Sequence, residues 1–333
     1  MEPSAETPVS AELEELPDRL GWRAASVQDA PAAGVVGALL CLSAAFFYAG
    51  ANVALRMLAD PSRATDPMWT IFVKETVTVL VVGPLLWFRY LRGRASFPSR
   101  DSLLILVAAG VAVQLIGNVG LLWAMGIVGL AIALPIALAI SLISAALLGA
   151  VLLGESLPWR VLVGIGLLIA GIVCLRAGAG GGLEGMNAPA WKVVVAMLVA
   201  CAAGITYGLL TIAIRHVARR DTSVWVVVLV VTGCGTVTLG ILSWARFGIA
   251  ALAATPGEHL FWMGVSGILN LLGFLALSKG LQLTPVARAN ILTASQVALA
   301  ALAGWILFQE TVNPPVLLGF GLTVAALFFT DRG

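Results

Sequence analysis

Charged residues are scarce in this chain of 333 residues: Asp, Glu, Lys and Arg make up 11% of it, whereas 60% of the residues are hydrophobic. Ordinary soluble domains carry about 25% charged residues, so the composition excludes that class. The formal net charge is only +2. We expect no nucleic-acid partner for a chain of this kind.

Histidine and cysteine are also rare. The two histidines, His216 and His259, lie near the ends of apolar segments, and the sequence contains no H-E-x-x-H or G-x-S-x-G motif. These features argue against an enzyme. The four cysteines form no C-x-x-C pair and no cluster with histidine, so neither a disulfide framework nor a zinc site is indicated. We expect no metal and no cofactor.

Long apolar segments are what the chain has in abundance. A helix that crosses about 30 Å of hydrocarbon needs about 20 largely apolar residues. No ten-residue alternation typical of transmembrane β-strands is visible. We therefore predict an all-α membrane protein with ten transmembrane helices, at residues 33–55, 67–88, 102–124, 129–153, 158–175, 190–213, 223–244, 260–280, 286–308 and 314–330.

The first 32 residues differ from the rest, because they hold seven acidic residues against Arg19 and Arg23. A signal peptide begins with a basic stretch and soon turns apolar. We therefore predict that residues 1–32 form an acidic, disordered cytoplasmic tail. A partner-binding role for this tail stays open.

The apolar segments form two copies of one five-helix unit. Residues 146–155 align without a gap on residues 301–310, and the same offset of 155 pairs Gly164 with Gly319 in the next segment. Because five crossings is an odd number, the second copy must be inverted relative to the first, as in many secondary transporters. We place the first repeat at 33–176, a Gly-rich extracytoplasmic linker at 177–188 and the second repeat at 189–333.

The distribution of lysine and arginine predicts the orientation. With the N-terminus inside, 13 of the 19 basic residues lie on the cytoplasmic side and 5 outside, while Lys74 alone lies within a span. The densest cluster runs from Arg89 to Arg100, after the second span. We therefore predict that both termini are cytoplasmic.

Polar side chains recur at matching places in the two repeats, spaced four residues apart on one helix face. The matching pairs are Tyr48 and Asn52 with Tyr207 and Thr211, at an offset of 159, and Gln114 and Asn118 with Ser266 and Asn270, at an offset of 152. Asn290 and Gln296 belong to a further stripe in the ninth span. Each residue alone is explained by an interhelical hydrogen bond. For the whole set we predict a polar central cavity.

Lys74 and Glu75 are charged residues inside the second span, where the seventh span has Val230 and Val231. The scaffold therefore does not require charges there. Neighbours on a helix point about 100° apart, so we expect that the two do not simply neutralise each other. Two interpretations stay open. Glu75 couples to protons or binds a substrate ammonium, or Lys74 extends to the outer interface while Glu75 pairs with another span.

Two further patterns at an offset of 155 have structural explanations. Glu155 and Glu310 each end a span, where a carboxylate can cap the following helix and complement its dipole. Small residues four apart, Ala145 with Gly149 and their counterparts at 300 and 304, are typical of close helix contacts. Such contacts fit either a packing inside the monomer or a homodimer, and both remain open.

With these features, the chain resembles the drug/metabolite transporter superfamily, in its ten-span branch with two EamA domains. The segments that carry the resemblance are Leu-Leu-Gly-Glu-Ser-Leu at 152–157 with Gly164 to Gly171, and Leu-Phe-Gln-Glu-Thr-Val at 307–312 with Gly319 to Gly321. The resemblance extends over residues 33 to 330. It implies a multi-pass carrier of the cytoplasmic (inner) membrane that exports amino acids or related small metabolites. The richness in Ala, Val and Gly is typical of a bacterial protein.

We therefore expect alternating access around a site near the middle of the bilayer. The residues that would contribute amides are Gln114, Asn118, Asn270 and Gln296, and those that would offer aromatic surface are Tyr48, Tyr207 and Trp123. Because so few charges are buried, a zwitterionic or neutral small molecule suits the cavity best. Proton coupling stays open. So do two other classes, a non-transporting membrane scaffold or receptor component and, less favoured, an integral membrane enzyme.

Overall fold

The computed structural model describes residues 31–57, 66–93, 98–128, 130–178, 189–218, 223–248, 250, 254–308 and 314–331. Over these residues the chain is helical and has no strand. Almost all of the predicted acidic tail and of the Gly-rich linker lies outside the described residues, and so does Glu310.

Twelve helices and one π-helical turn follow one another in the described parts of the chain. In order they are α1 (Pro31–Arg56), α2 (Pro67–Leu91), α3 (Arg100–Ala112), the π-helical turn (Val113–Val119), α4 (Gly120–Val128), α5 (Leu130–Leu153), α6 (Trp159–Gly178), α7 (Ala190–Ala218), α8 (Val224–Phe247), α9 (Gly257–Leu283), α10 (Val286–Ala294), α11 (Gln296–Phe308) and α12 (Pro314–Asp331). They begin and end within a few residues of the predicted segments.

Seven helical segments of the described chain are long and apolar enough to cross a membrane. They are Gly34–Leu55, Met68–Leu91, Arg100–Val119, Ile136–Leu153, Trp191–Ala218, Val224–Phe247 and Gly257–Leu283. Shorter apolar helices are Trp159–Cys174 and Pro314–Ala326. The prediction of an all-helical fold with multiple membrane spans is therefore confirmed, whereas the number ten stays a prediction.

Two of the predicted segments are not continuous α-helices. The third contains the π-helical turn, which joins α3 to α4 and includes both Gln114 and Asn118. The ninth is divided at Ser295, whose hydroxyl donates to the carbonyl of Leu292 at 2.6 Å. A serine hydroxyl that bonds to nearby backbone competes with the regular helical pattern. Both interruptions therefore fall in segments that carry predicted site residues.

The two halves pack through helix pairs that match one another under the repeat. α1 packs on α9 and on α10 and α11, and its counterpart α7 packs on the third segment and on α5. α2 packs on α8, and α6 packs on α12. The contacts of α1 thus correspond to those of α7, and the pairs α2–α8 and α6–α12 each join two equivalent helices. This is the arrangement expected of two equivalent halves.

Small residues allow the closest of these contacts. A Cβ on Gly204 of α7 would lie 2.5 Å from the carbonyl oxygen of Ala137 in α5, and one on Gly208 would overlap the Ser144 hydroxyl. Ala145 and Gly149 of α5 lie in the same contact region, since Gly208 approaches the backbone of Ala145 and Gly149 approaches Ile212. The small residues of α5 therefore serve packing within the monomer.

Candidate functional site

The π-helical turn and α7 bring together three polar side chains, here called the amide cluster: Gln114, Asn118 and Tyr207. The Tyr207 hydroxyl donates to Asn118 Oδ1 at 2.8 Å, and Asn118 Nδ2 donates to Gln114 Oε1 at 2.7 Å. Tyr207 belongs to the second half and the two amides to the first. This chain of two hydrogen bonds therefore connects the halves.

A glycine of the neighbouring helix α8 and a glycine of the π-helical turn itself make room for the amide cluster. A Cβ at Gly235 of α8 would lie 2.5 Å from Gln114 Nε2, and one at Gly117 would lie 3.2 Å from the ring of Tyr207. Gln114 is consequently buried, with 3% of its surface exposed. Its amide satisfies part of its hydrogen-bonding capacity through Asn118, as a buried polar group requires.

A second group, here called the charged cluster, joins α2 to α9 and consists of Lys74, Glu75 and Asn270. Lys74 Nζ lies 3.2 Å from Glu75 Oε1 and donates to Asn270 Oδ1 at 3.3 Å. The expectation that Lys74 and Glu75 do not neutralise each other is therefore wrong. The lysine stem has four flexible methylene groups, which carry the ammonium around the helix to its neighbour. The Lys74 ammonium therefore lies against Glu75 and Asn270 instead of extending to the membrane–water interface, and Glu75 pairs with Lys74 of its own span.

The charged cluster lies at a close approach of α2 to α9. A Cβ on Gly267 would lie 2.7 Å from Val77 Cβ and 2.9 Å from the backbone oxygen of Lys74. Asn270 lies three residues further along the same helix and is half-buried. The side chains of Lys74 and Glu75 are 15% and 6% exposed. The pair is thus largely desolvated, but a small part of each side chain is still accessible to solvent.

The two clusters are related by the sequence repeat. Asn118 and Asn270 are equivalent at the offset of 152, and each contacts a side chain of the opposite half, Tyr207 and Lys74 respectively. Tyr48, the counterpart of Tyr207, packs its ring against Gly273, three residues from Asn270. Ser266, the counterpart of Gln114, donates to the carbonyl of Ala51 at 3.2 Å. Side chains therefore join α1 to α9 near the charged cluster. In the same way, side chains join α7 to the third segment at the amide cluster.

The remaining candidate residues do not join either cluster. The Thr211 hydroxyl donates within its own helix to the Tyr207 carbonyl at 2.9 Å. Asn52 is exposed on α1, and Trp123 is 46% exposed on α4. Gln296 is half-buried and opens α11 just after the break at Ser295. Asn290 has an amide nitrogen that is buried without a hydrogen-bond partner in the described part of the chain.

The sequence places Arg215 on one helix face with Tyr207 and Thr211 and among the basic residues of the cytoplasmic side, but it does not predict that Arg215 forms a buried ion pair. Arg215 is fully buried, and its Nε lies 3.1 Å from Glu155 Oε1 while its guanidinium also donates to the carbonyl of Leu281. Glu155 Oε2 accepts from the backbone N–H of Val286 at 2.7 Å. The spacing of Tyr207, Thr211 and Arg215 on one helix face is the signal that points to this inward position.

Glu155 caps a helix that the sequence did not indicate. Its carboxylate accepts from the backbone N–H of Val286, the first residue of α10 in the opposite half. Gly154 has φ +62°, a left-handed conformation that glycine adopts readily, and the Glu155 N–H returns to the carbonyl of Gly149. This reversal after α5 directs the carboxylate towards Arg215 and α10. Within the described residues no group of three or more His, Cys, Asp or Glu side chains is arranged to hold a metal ion.

Comparisons with known proteins agree with this architecture. The model of the EamA-like transporter family matches residues 35–177 and 194–330, one match for each repeat. No curated protein sequence matches the chain. A crystal structure described only as "Crystal structure of protein" superposes with a TM-score of 0.71 at 19% identity, and the match covers 89% of this chain and 96% of the other. At that identity the similarity shows the fold alone.

Proposed function

The chain belongs to the EamA-like transporter family, and from this premise we propose that it is a secondary transporter of small zwitterionic or neutral metabolites. The substrate class that we propose is amino acids, including aromatic or other apolar ones. The direction is export across the cytoplasmic membrane of a bacterium. A small-molecule substrate and a lipid bilayer are the partners that membership of the family implies.

The mechanism that we propose is alternating access by two inverted five-helix halves. Ten spans, with both termini in the cytoplasm, follow from the repeat and from the distribution of lysine and arginine. The matched contacts between the halves support this mechanism. Because the halves are equivalent, the contacts of one half in one conformation can be adopted by the other half when the two rock about a central site. The interruptions at Val113–Val119 and at Ser295 support it as well. Broken helices at the binding site are a common feature of such carriers.

One observation carries the proposal: Asn118 and Asn270 are equivalent in the repeat, and each hydrogen-bonds to the opposite half. Hydrogen bonds between side chains in membrane proteins contribute about 0.6 kcal/mol on average. Bonds this weak hold the halves together without locking them. A substrate head group can replace either bond, because an amide offers both a donor and an acceptor.

The position of the Arg215–Glu155 pair supports a conformation in which the proposed site is closed towards the cytoplasm. In the proposed orientation the ends of α5 and α7 and the start of α10 all lie on that side. The pair connects α7 to the segment after α5, and Glu155 also binds the start of α10. For the site to open towards the cytoplasm, Arg215 has to leave Glu155 or move together with it.

A counterflow assay tests the proposal. Proteoliposomes that hold the purified chain are loaded with unlabelled amino acids, and one labelled amino acid at a time is added outside, with and without a proton gradient. We expect transient accumulation of a label by the wild type. The absence of accumulation for every compound under both conditions would contradict a transporter of this class.

Two variants in the same assay test the site. Asn118→Ala and Asn270→Ala should each raise the half-saturation concentration, because each removes a group that binds substrate. Gln282→Ala is the matched control. Its amide bonds Lys279 Nζ and the carbonyl of Ala218, away from both clusters. Unchanged kinetics in both asparagine variants would show that the site lies elsewhere.

A further inference from the structure

Lys74, Glu75 and Asn270 together have the chemistry to bind both charges of one amino acid. We infer that the charged cluster recognises the head group, with the substrate carboxylate on Lys74 and the substrate ammonium on Glu75. The carrier then accepts zwitterions and discriminates against solutes that have only one of the two charges. This inference rests on the proposed function, since it names the groups that bind the proposed substrate class.

The arrangement of the cluster is complementary to an α-amino acid. An ammonium and a carboxylate lie 3.2 Å apart, and the Asn270 amide approaches the ammonium at 3.3 Å. An amino acid carries the same two charges, separated by two covalent bonds through one carbon. When it aligns head to tail with the Lys74–Glu75 pair, every charge meets an opposite charge. Asn270 can then accept from the substrate ammonium or donate to its carboxylate.

Desolvation makes both charges of the substrate necessary. Glu75 is 94% buried by its side-chain surface, with 6% exposed. In such a site a charge without a partner is strongly unfavourable. A solute that has only an ammonium takes Glu75 away from Lys74 and leaves the lysine unpaired, and a solute that has only a carboxylate does the reverse. Sites that contain buried polar groups reject analogues that lack the matching group for this reason.

The pair also explains how the empty site can cross between its two states. Without substrate, Lys74 and Glu75 neutralise each other, and with a zwitterion bound the total charge at the site is still zero. The empty site and the zwitterion-bound site therefore both have zero net charge, so neither carries net charge across the membrane potential when the transporter changes conformation. Transport of a zwitterion is expected to be independent of membrane voltage. A site with one unpaired charge would not have this property.

A purely structural use of the pair is less consistent with the repeat. At the equivalent place in the other half, α8 has Val230 and Val231, and packing there proceeds without charges. The ring of Tyr48 packs on Gly273, about one helix turn from Asn270. An aromatic surface therefore lies near the head-group position, where it can contact an apolar substrate side chain.

The first test is competition in the wild-type protein. Proteoliposomes take up labelled phenylalanine by counterflow, and the unlabelled competitors are phenylalanine, its methyl ester, phenethylamine and N-acetylphenylalanine. The ester and the amine keep only the ammonium, and the acetyl compound keeps only the carboxylate. We expect each of the three to compete at least about tenfold more weakly than phenylalanine. Equal competition by the ester or the acetyl compound would overturn the inference.

The second test removes both charges together, so that the span stays neutral. The K74M/E75Q double variant should raise the half-saturation concentration for phenylalanine at least about tenfold and abolish the preference over the ester and the acetyl compound. Thr76→Val is the matched control on the next residue. The Thr76 hydroxyl bonds only within α2, to the Phe72 carbonyl, among the contacts described. Wild-type affinity and selectivity in the double variant would overturn the inference.

The outcomes separate the two proposals. Wild-type protein that accumulates none of the labelled amino acids, with or without a proton gradient, contradicts the transporter function and, with it, the head-group site. Wild-type protein that transports but does not distinguish phenylalanine from its ester leaves the transporter function intact and contradicts only the site. If the double variant fails to assemble, the wild-type competition decides the question by itself.

Discussion

Arg215 and Glu155 form a buried ion pair between the two halves, with 3.1 Å between Arg215 Nε and Glu155 Oε1. Their side chains are 0% and 10% exposed. Arg215 also binds the carbonyl of Leu281, and Glu155 binds the N–H of Val286. Through these two side chains, α7, the ends of α5 and α9 and the start of α10 are held together. A network of this kind is sensitive to the loss of either charge, because the remaining one stays buried.

Glu155→Gln should destabilise the protein by about 3–5 kcal/mol, because it removes the carboxylate charge that lies 3.1 Å from Nε of the buried Arg215 guanidinium. Thermal unfolding in detergent measures the effect. The double variant E155Q/R215Q should lose less stability than the two single variants combined, since neither charge is then left unpaired. Asp101→Asn, an exposed acidic residue in the first turn of α3, is the control and should change stability by less than about 1 kcal/mol. Additive losses in the double variant would contradict a coupled pair.

Tyr207→Phe should weaken the amide cluster, because it removes the hydroxyl that donates to Asn118 but keeps the ring. The expected loss of stability is small, about 0.6 kcal/mol, while the half-saturation concentration for substrate rises. Tyr48→Phe is the repeat-related comparison, since the ring contact of Tyr48 with Gly273 remains in phenylalanine. The two variants are compared by thermal unfolding and by counterflow. A larger kinetic effect at Tyr48 than at Tyr207 would argue against the amide cluster as a binding site.

Gly204→Ala should destabilise the contact between α5 and α7 by about 1–3 kcal/mol, the usual cost of overpacking. The added methyl would lie 2.5 Å from the Ala137 carbonyl oxygen, a backbone atom that cannot move without a shift of the helix. Gly264→Ala is the matched control on α9, where an added Cβ meets nothing within 4 Å. The melting temperatures of both variants test this prediction. Equal values for the two would show that α5 and α7 do not approach so closely.

The predicted orientation can be tested with reporters. Green fluorescent protein fused after the last residue should fluoresce, because it folds in the cytoplasm. Alkaline phosphatase inserted at residues 179–188 should be active, because that linker is predicted to be extracytoplasmic. Phosphatase inserted between Arg89 and Arg100 provides the opposite control and should be inactive. The reverse pattern of activities would contradict the positions assigned from the lysine and arginine counts.

The positions of the helices could be predicted from the sequence because hydrophobic length is a local property of each segment. For example, α2 begins at Pro67, as predicted, and α5 ends at Leu153. The interruptions at Val113–Val119 and Ser295 could not be predicted in the same way. At Ser295 the side chain competes with the backbone for a hydrogen bond, which apolar periodicity does not record, and at Val113–Val119 the apolar pattern does not distinguish a π-helical turn from an α-helix.

The candidate site was predictable in part. The repeat of polar residues indicated Asn118 and Asn270, which do lie at contacts between the halves. The direct contact of Lys74 with Glu75 was not anticipated, because helical geometry gives the direction of the Cβ and not the reach of a long side chain. The buried ion pair of Arg215 could not be predicted, because counts of basic residues do not distinguish exposed from buried positions. Its partner, 60 residues away, becomes visible only when the helices are packed.

The adjacency of Lys74 and Glu75 also bears on how the chain is made. The second span enters the bilayer early in synthesis, whereas Asn270 follows Lys74 by 196 residues and does not yet exist at that moment. An isolated charge near the middle of a span raises the cost of insertion by about 2.5–3.5 kcal/mol. Since the counter-charge is the next residue, the pair can form inside a single helix and reduce that cost before any other span is present. Because Lys74 and Glu75 are adjacent in the sequence, the second span can insert into the membrane as a paired, neutral helix before α9 is synthesised.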